Sequence, residues 1–470
     1  MQEPFATAIA ANRFGLGAMP GELDAMRGQP REWLIAQLKG APPVVTDSSL
    51  RSSSDVLSEA LELRRERRAA AGAAADAPAE SGADPSSPGG RAANIQKPLK
   101  VAQLYRPRYI DEATARLRHA ATTDRPFVER LTQFWANHFA VSIDKVAVLG
   151  LAGAFEREAI RPYVLGSFTD LLLAVEQHPA MLLYLDNSLS VGPTSRAAQV
   201  AQRRGAERKI GINENLAREI FELHTLGVNG GYTQQDVTTF AEVLTGWSIG
   251  DGAFTFRERL HEPGAKTVLG KRYPQSDQSQ GEAVLRDIAA KPATAHFIAT
   301  KLARHFIADD PPSVAVERIA KAFTKSHGDL PTVYRALVDS NAAWSAPLSK
   351  FKTPSDYIVS TYRALDLPVD RTRRGLASFE LLGQRTYSPG SPAGWPDRSA
   401  DWDGASALMK RIEWADAVGQ RVGTRHNAAD LAPSLLGGTL SADTRMALAR
   451  AASGSQALTL LLTSPEFLRR

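Results

Sequence analysis

The chain has 470 residues, with 56 basic against 51 acidic side chains and no cysteine, which excludes disulfides, thiolate metal sites and a cysteine nucleophile. A formal charge of +5, 7% aromatics and no basic stripe interleaved with them leave no footprint for nucleic acid. No run approaches about 18 consecutive apolar residues, so no membrane span is expected, and Met1–Leu16 shows no signal peptide.

The pattern is helical along nearly the whole chain. Residues 20–28 and 30–40 read as two short helices, each opening at a proline (Pro20, Pro30) and closing at a glycine (Gly28, Gly40). A charged helix is predicted over 55–70. From 69 to 93 the composition is Ala, Gly, Pro, Ser and Asp, too poor in large apolar side chains to offset the entropy of ordering, and a disordered insertion is expected there. It separates N-terminal helices (1–68) from the remainder of the same helical domain (94–470). Amphipathic helices are predicted over 109–140 and 151–185. The polar stretch Asn187–Lys209 carries Arg196, Arg203, Arg204 and Arg208, which either hold an anion or face water from a loop.

Further helices are predicted at 213–226 and 233–247, the second opened by Thr233 with Asp236 three residues on, close to a capping box. Within 251–273, Phe254-Thr255-Phe256 and Thr267-Val268-Leu269 flank Pro263-Gly264, which predicts one short β-hairpin. Helices resume at 281–307, 313–325, 330–340 and 354–365. Next comes a Pro/Gly/Trp-rich loop over 383–404, with Tyr387, Trp395 and Trp402 either packed down as a lid or stacking on a carbohydrate or peptide. The expected fold class is mainly α: a large multi-helix domain with a small β-hairpin and the insertion.

The densest polar constellation is Asn213–Gly227. Wound as a regular helix, it puts Glu214, Arg218, Glu219 and Glu222 on one face and His224 among Leu216, Ile220 and Leu223 on the other. The acidic face is either an ion-pair ladder at spacing four or a carboxylate cluster in a cleft, held by Arg218 and able to supply a general acid or base. Glu222 and His224 diverge by about 160° and share a ligand set only if the helix breaks at Leu223. His138 lies on the apolar face formed with Phe127, Leu131 and Phe134, so two inward histidines from separate helices can meet, with Asp186 as a third contributor. Asp186-Asn187 also suits a helix stop and turn. The Asn229–Asp236 segment lacks the carboxylates a calcium loop requires. His261, Glu262 and Lys266 line either a pocket or a wet turn. No nucleophile elbow, phosphate loop, dinucleotide fingerprint or His-Glu-x-x-His is present.

Several separate motifs occur in order: Asn12-Arg-Phe-Gly-Leu-Gly17, Phe134-Trp-Ala-Asn-His-Phe139, Tyr184-Leu-Asp-Asn187, Asn213-Glu-Asn-Leu-Ala-Arg-Glu219 and Glu222-Leu-His-Thr-Leu-Gly227. They continue with Gly231-Tyr-Thr-Gln-Gln-Asp236, Leu244-Thr-Gly-Trp247, His261-Glu-Pro-Gly-Ala-Lys266, Lys352-Thr-Pro354, Gly394-Trp-Pro-Asp397 and Ser464-Pro-Glu-Phe467. Together they resemble the bacterial family of domain of unknown function 1800, over essentially the whole chain outside 69–93. The resemblance implies no particular activity. It implies a co-encoded, exported, sulfatase-like protein as a partner, and a periplasmic location if the two leave together; without a visible signal peptide the expected location is otherwise cytoplasmic. The leading expectation is a hydrolase-like enzyme using Glu214, Arg218, Glu219 and Glu222, with His138, Asp186 and His224 as a second cluster of metal ligands or orienting groups. The alternative is a binding or maturation factor for that partner. Composition and motifs name no cofactor and no specific metal.

Overall fold

The computed structural model describes residues 3–26, 28–75, 100–204, 211–345 and 348–470. Among them are 22 α-helices and two small two-stranded sheets. The mainly helical class arises from the apolar spacing that the sequence carries: Val316, Ile319, Ala320 and Phe323 line the buried side of the Ser313–Lys325 helix, and Val333, Tyr334, Leu337 and Val338 that of Leu330–Val338. The Ser313–Lys325 helix packs between Pro292–Phe306 and Leu330–Val338. One continuous apolar core runs from Ile9 to Leu468, with Trp135, Trp247 and Trp344 among its largest buried side chains. The N-terminal helix Glu3–Ile9 packs against the turn at Gly437–Thr439, near the other end of the chain. Among the described residues no helix is long and apolar enough to cross a membrane.

Several places depart from the expected elements, among them the polar stretch 187–209, which contains a helix, Arg196–Arg203, capped by the Ser195 side chain. The Ser53–Ala75 helix continues past residue 69, because its alanines are the best helix formers and need no apolar partner to extend a helix already begun. The rest of the expected insertion, 76–93, lies outside the described residues. The single hairpin is instead two. Trp247–Gly250 pairs with Ala253–Phe256, and Lys266–Val268 pairs with Lys271–Tyr273. Each turns through two residues at positive φ, Asp251-Gly252 and Leu269-Gly270. That is the two-residue turn whose twist matches antiparallel strands, and it outcompetes a longer closure around Pro263-Gly264. Trp247 therefore opens a strand instead of ending the preceding helix, which stops at Val243.

Helical geometry is interrupted at 10–14, 156–160 and 220–225 by wider turns with bonds from residue i+5 to i, such as Gly15 N–H to Ala10 O at 2.9 Å and Leu226 N–H to Phe221 O at 2.9 Å. Such bulges insert a residue, rotate the next turn of the helix and often accompany functional sites. Thr225 Oγ1 donates to Ile220 O at 2.5 Å, satisfying a carbonyl at the third of these bulges.

Candidate functional site: a donor-lined cleft

Six segments converge on one cleft of about 100 Å³: the Val101–Thr122 and Pro126–His138 helices, the bulge at 156–160, the C-terminal end of Pro292–Phe306, the start of Pro354–Ala364, and the loop 384–397. Their ionic groups are bound into two buried clusters. In the first, Arg161 bridges Glu129 (2.5 and 3.0 Å) and Glu156 (2.8 Å), while Arg116 Nε takes the other oxygen of Glu156 at 2.8 Å. In the second, Asp356 accepts a hydrogen bond from Arg130 Nη1 at 3.0 Å and is ion-paired with Arg470, whose Nε lies 2.9 Å away. Burial would raise Asp356, yet Arg130 and Arg470 hold its carboxyl well below the ordinary range.

Asp397 stands beside this second cluster. It lies 3.1 Å from His305 Nδ1, 3.7 Å from Lys350 and 3.6 Å from Arg470. Burial opposes its ionisation, but His305, Lys350 and Arg470 keep it ionised. An ionised carboxylate only accepts, so the proton of the His305 ring sits on Nδ1. His305 is pushed down to about 4 by burial, so the imidazole is neutral near pH 7, and its Nε2 has no hydrogen-bond partner among the described residues. Neighbouring side chains hold the loop in place. Asn137 accepts from Trp395 N–H at 2.7 Å and donates to Trp395 O at 2.9 Å, and Trp402 packs on Trp395. Tyr387 adopts φ +57°, a conformation that costs energy for an aromatic residue, with its carbonyl taken by Ile143 N–H at 2.9 Å.

Behind Phe134, whose ring meets both His138 and His305, lies a pair of buried histidines, His138 and His224. His224 Nδ1 donates to Glu176 at 2.7 Å, and His138 Nε2 donates to the His224 carbonyl at 3.1 Å. The two rings are 6.3 Å apart. Burial, with Lys301 and His224 nearby, pushes His138 well below its ordinary value. Asp186 is not part of this meeting: it ends its helix at φ +58° and pairs with Lys145 at 2.6 Å. Among the described residues, no group of three or more His, Asp or Glu is placed to hold a metal ion.

The carboxylate face of 213–226 divides. Glu214 and Arg218 form a half-buried pair at 2.9 Å, with Gln234 and Thr238 completing the Glu214 shell. Glu219 is half-buried near Tyr184, and burial raises its carboxyl, with Glu222 and Glu176 adding to the effect. Through the bulge at 220–225 the chain winds on as a wider turn, and within it His224 meets Glu176.

Segments of three of the ordered motifs, Phe134–Phe139, Lys352–Pro354 and Gly394–Asp397, border the cleft. The family described as "Protein of unknown function (DUF1800)" matches residues 9–469. The chain belongs to the DUF1800 family. No curated protein and no solved structure matches it. The cleft of this DUF1800 chain draws on Arg116, Arg130, Glu156, His305 and Asp356, none of which stands out locally in the sequence. Asp397 and Tyr387 sit in the loop that does stand out, but for its aromatic content and not for its ionic partners.

Proposed function

We propose that this DUF1800 protein is a hydrolase-like enzyme whose reacting groups gather in the cleft around His305. The supporting observation is the His305–Asp397 pair: a neutral imidazole oriented through Nδ1, with a buried Nε2 that has no partner among the described residues, on a ring that lines the cleft. In the proposed step, Nε2 takes a proton from water as the water oxygen bonds to the electrophilic centre. The bond to the leaving group then breaks, and the imidazolium returns that proton to the leaving oxygen. Asp397 positions the ring and stabilises its charged form. Glu219 remains in the proposal as a second acid–base group outside the cleft, and Glu214, Arg218 and Glu222 as its charged surroundings.

The test is turnover of a panel of 4-nitrophenyl carboxylate, phosphate and sulfate esters by the wild type, His305→Asn and Glu219→Gln. Loss of about a hundredfold or more in His305→Asn supports the proposal; turnover unchanged in that variant overturns it. A second reading, a binding or maturation factor for a co-encoded exported sulfatase-like protein, is favoured by Leu408, Met409 and Ile412. These lie exposed together on the first turns of the Ala405–Val422 helix. Co-purification with that partner, lost in Met409→Asp, tests it.

A further inference from the structure

The carboxylates that border the cleft are all engaged by cations, whereas several of its donors are not. Arg116 spends Nε on Glu156, and its Nη1 and Nη2 bond no described residue. Arg130 spends Nε on the Gly15 carbonyl and Nη1 on Asp356, leaving Nη2. The Tyr387 hydroxyl and the Gln133 side-chain amide, both bordering the same space, likewise bond no described residue. Tyr387 is kept protonated, and so a donor, by burial and by Glu156 nearby. Its ring also packs on the Arg116 guanidinium, at 5.4 Å from the ring centroid. Arg385 also borders the cleft, but its guanidinium is engaged elsewhere, with Nε 3.7 Å from Glu380 and the group 5.5 Å from the Tyr109 ring centroid.

The spare N–H groups of two guanidiniums, a phenol and an amide, none of them bonded to a described residue, define a place for an acceptor-only, negatively charged group. A cleft of about 100 Å³ has room for several waters or one small oxyanion. The strained backbone of Tyr387 is a second, independent sign, because strain of this kind persists where the surroundings hold a side chain at a required position.

We infer that Arg116, Arg130, Tyr387 and Gln133 seat the oxyanion group of the substrate, a phosphate or sulfate ester, beside His305. This rests on the proposed hydrolytic reading for its role in turnover, but binding itself is testable apart from it. The probes are inorganic phosphate, inorganic sulfate and, as a chloride control, the same ionic strength of sodium chloride, titrated calorimetrically into the full chain. The wild type is expected to bind phosphate or sulfate saturably at one site, and which of the two binds more tightly names the ester. Tyr387→Phe and Gln133→Met remove one donor each without unpairing a buried carboxylate, and each is expected to weaken binding about tenfold, with Arg116→Lys weakening it further through loss of the planar fork. No saturable heat with either anion in the folded wild type, or equal affinity in Tyr387→Phe and Gln133→Met, overturns the seat. Anion binding that survives in His305→Asn, with ester turnover also unchanged there, sinks the hydrolytic reading and leaves the seat standing. Turnover abolished in His305→Asn with no anion binding by the wild type does the reverse.

Discussion

Gly394 holds the cleft loop in a conformation that a side chain would disturb in two separable ways. Its φ is +82°, and a Cβ built there would lie 2.3 Å from the Asn137 carbonyl oxygen and 2.8 Å from Asn137 Oδ1. The left-handed backbone alone costs an alanine about 1–2 kcal/mol. Relieving the clash requires the loop to retreat from Asn137, which loses one or both of the hydrogen bonds that tie Trp395 to it. At about 0.5–1.5 kcal/mol each, that adds roughly 1–3 kcal/mol. Gly383 provides the internal control, since its φ is +87° and nothing lies within 4 Å of a built Cβ. Equilibrium urea unfolding should therefore show Gly394→Ala destabilised by about 2–5 kcal/mol and Gly383→Ala by only about 1–2 kcal/mol. Trp395 emission should shift in the first variant alone. Equal losses in the two variants would show that the Asn137 contact does not hold the loop, and the account of the cleft wall would fall with it.

The other expectations concern charge and capping. Asp356→Asn leaves Arg130 and Arg470 without their shared carboxylate in the interior and should cost about 3–5 kcal/mol in the same assay. Burial pushes Lys352 down to about 7, so between about pH 7 and its ordinary value of 10.5 the unfolded chain holds a proton that the folded chain lacks. Lys352 thus makes wild-type stability rise with pH across that window, and Lys352→Met should flatten the rise in urea midpoints measured at pH 7, 8 and 9. Thr233→Ala removes half of a capping box and should cost about 1 kcal/mol. Asp236→Ala should cost more, because Asp236 also accepts from Leu269 N–H at 2.7 Å and so ties the second hairpin to the helix start; both are read from urea midpoints.

Local pattern carries much of this fold. Proline at Pro30, Pro126, Pro292 and Pro354 marks helix starts because a missing N–H costs nothing in a first turn. The Thr233/Asp236 box and the inward faces of His138 and His224 are also legible, since capping and apolar spacing act within a few residues. The bulge at 220–225 is not legible, because a wheel built on 3.6 residues per turn assumes the regularity that the bulge breaks. The two hairpins escape strand-like composition for a related reason: the positive-φ pairs Asp251-Gly252 and Leu269-Gly270 decide the closure, and they are visible only when turn geometry is weighed first.

The sequence by itself determined the helical class, the family and the order of the motifs, because periodicity, caps and short motifs are properties of neighbouring residues. The cleft was decided by tertiary structure alone. Arg116, Arg130 and His305 come from separate helices and Tyr387 and Asp397 from one loop, and each resembles many other residues of its type until packing removes water from it. Burial is what makes their pairing obligatory, lowers His305, lets its cationic neighbours keep Asp397 ionised and leaves donors facing one small space. Those effects depend on which distant groups share an interior, which no local pattern encodes.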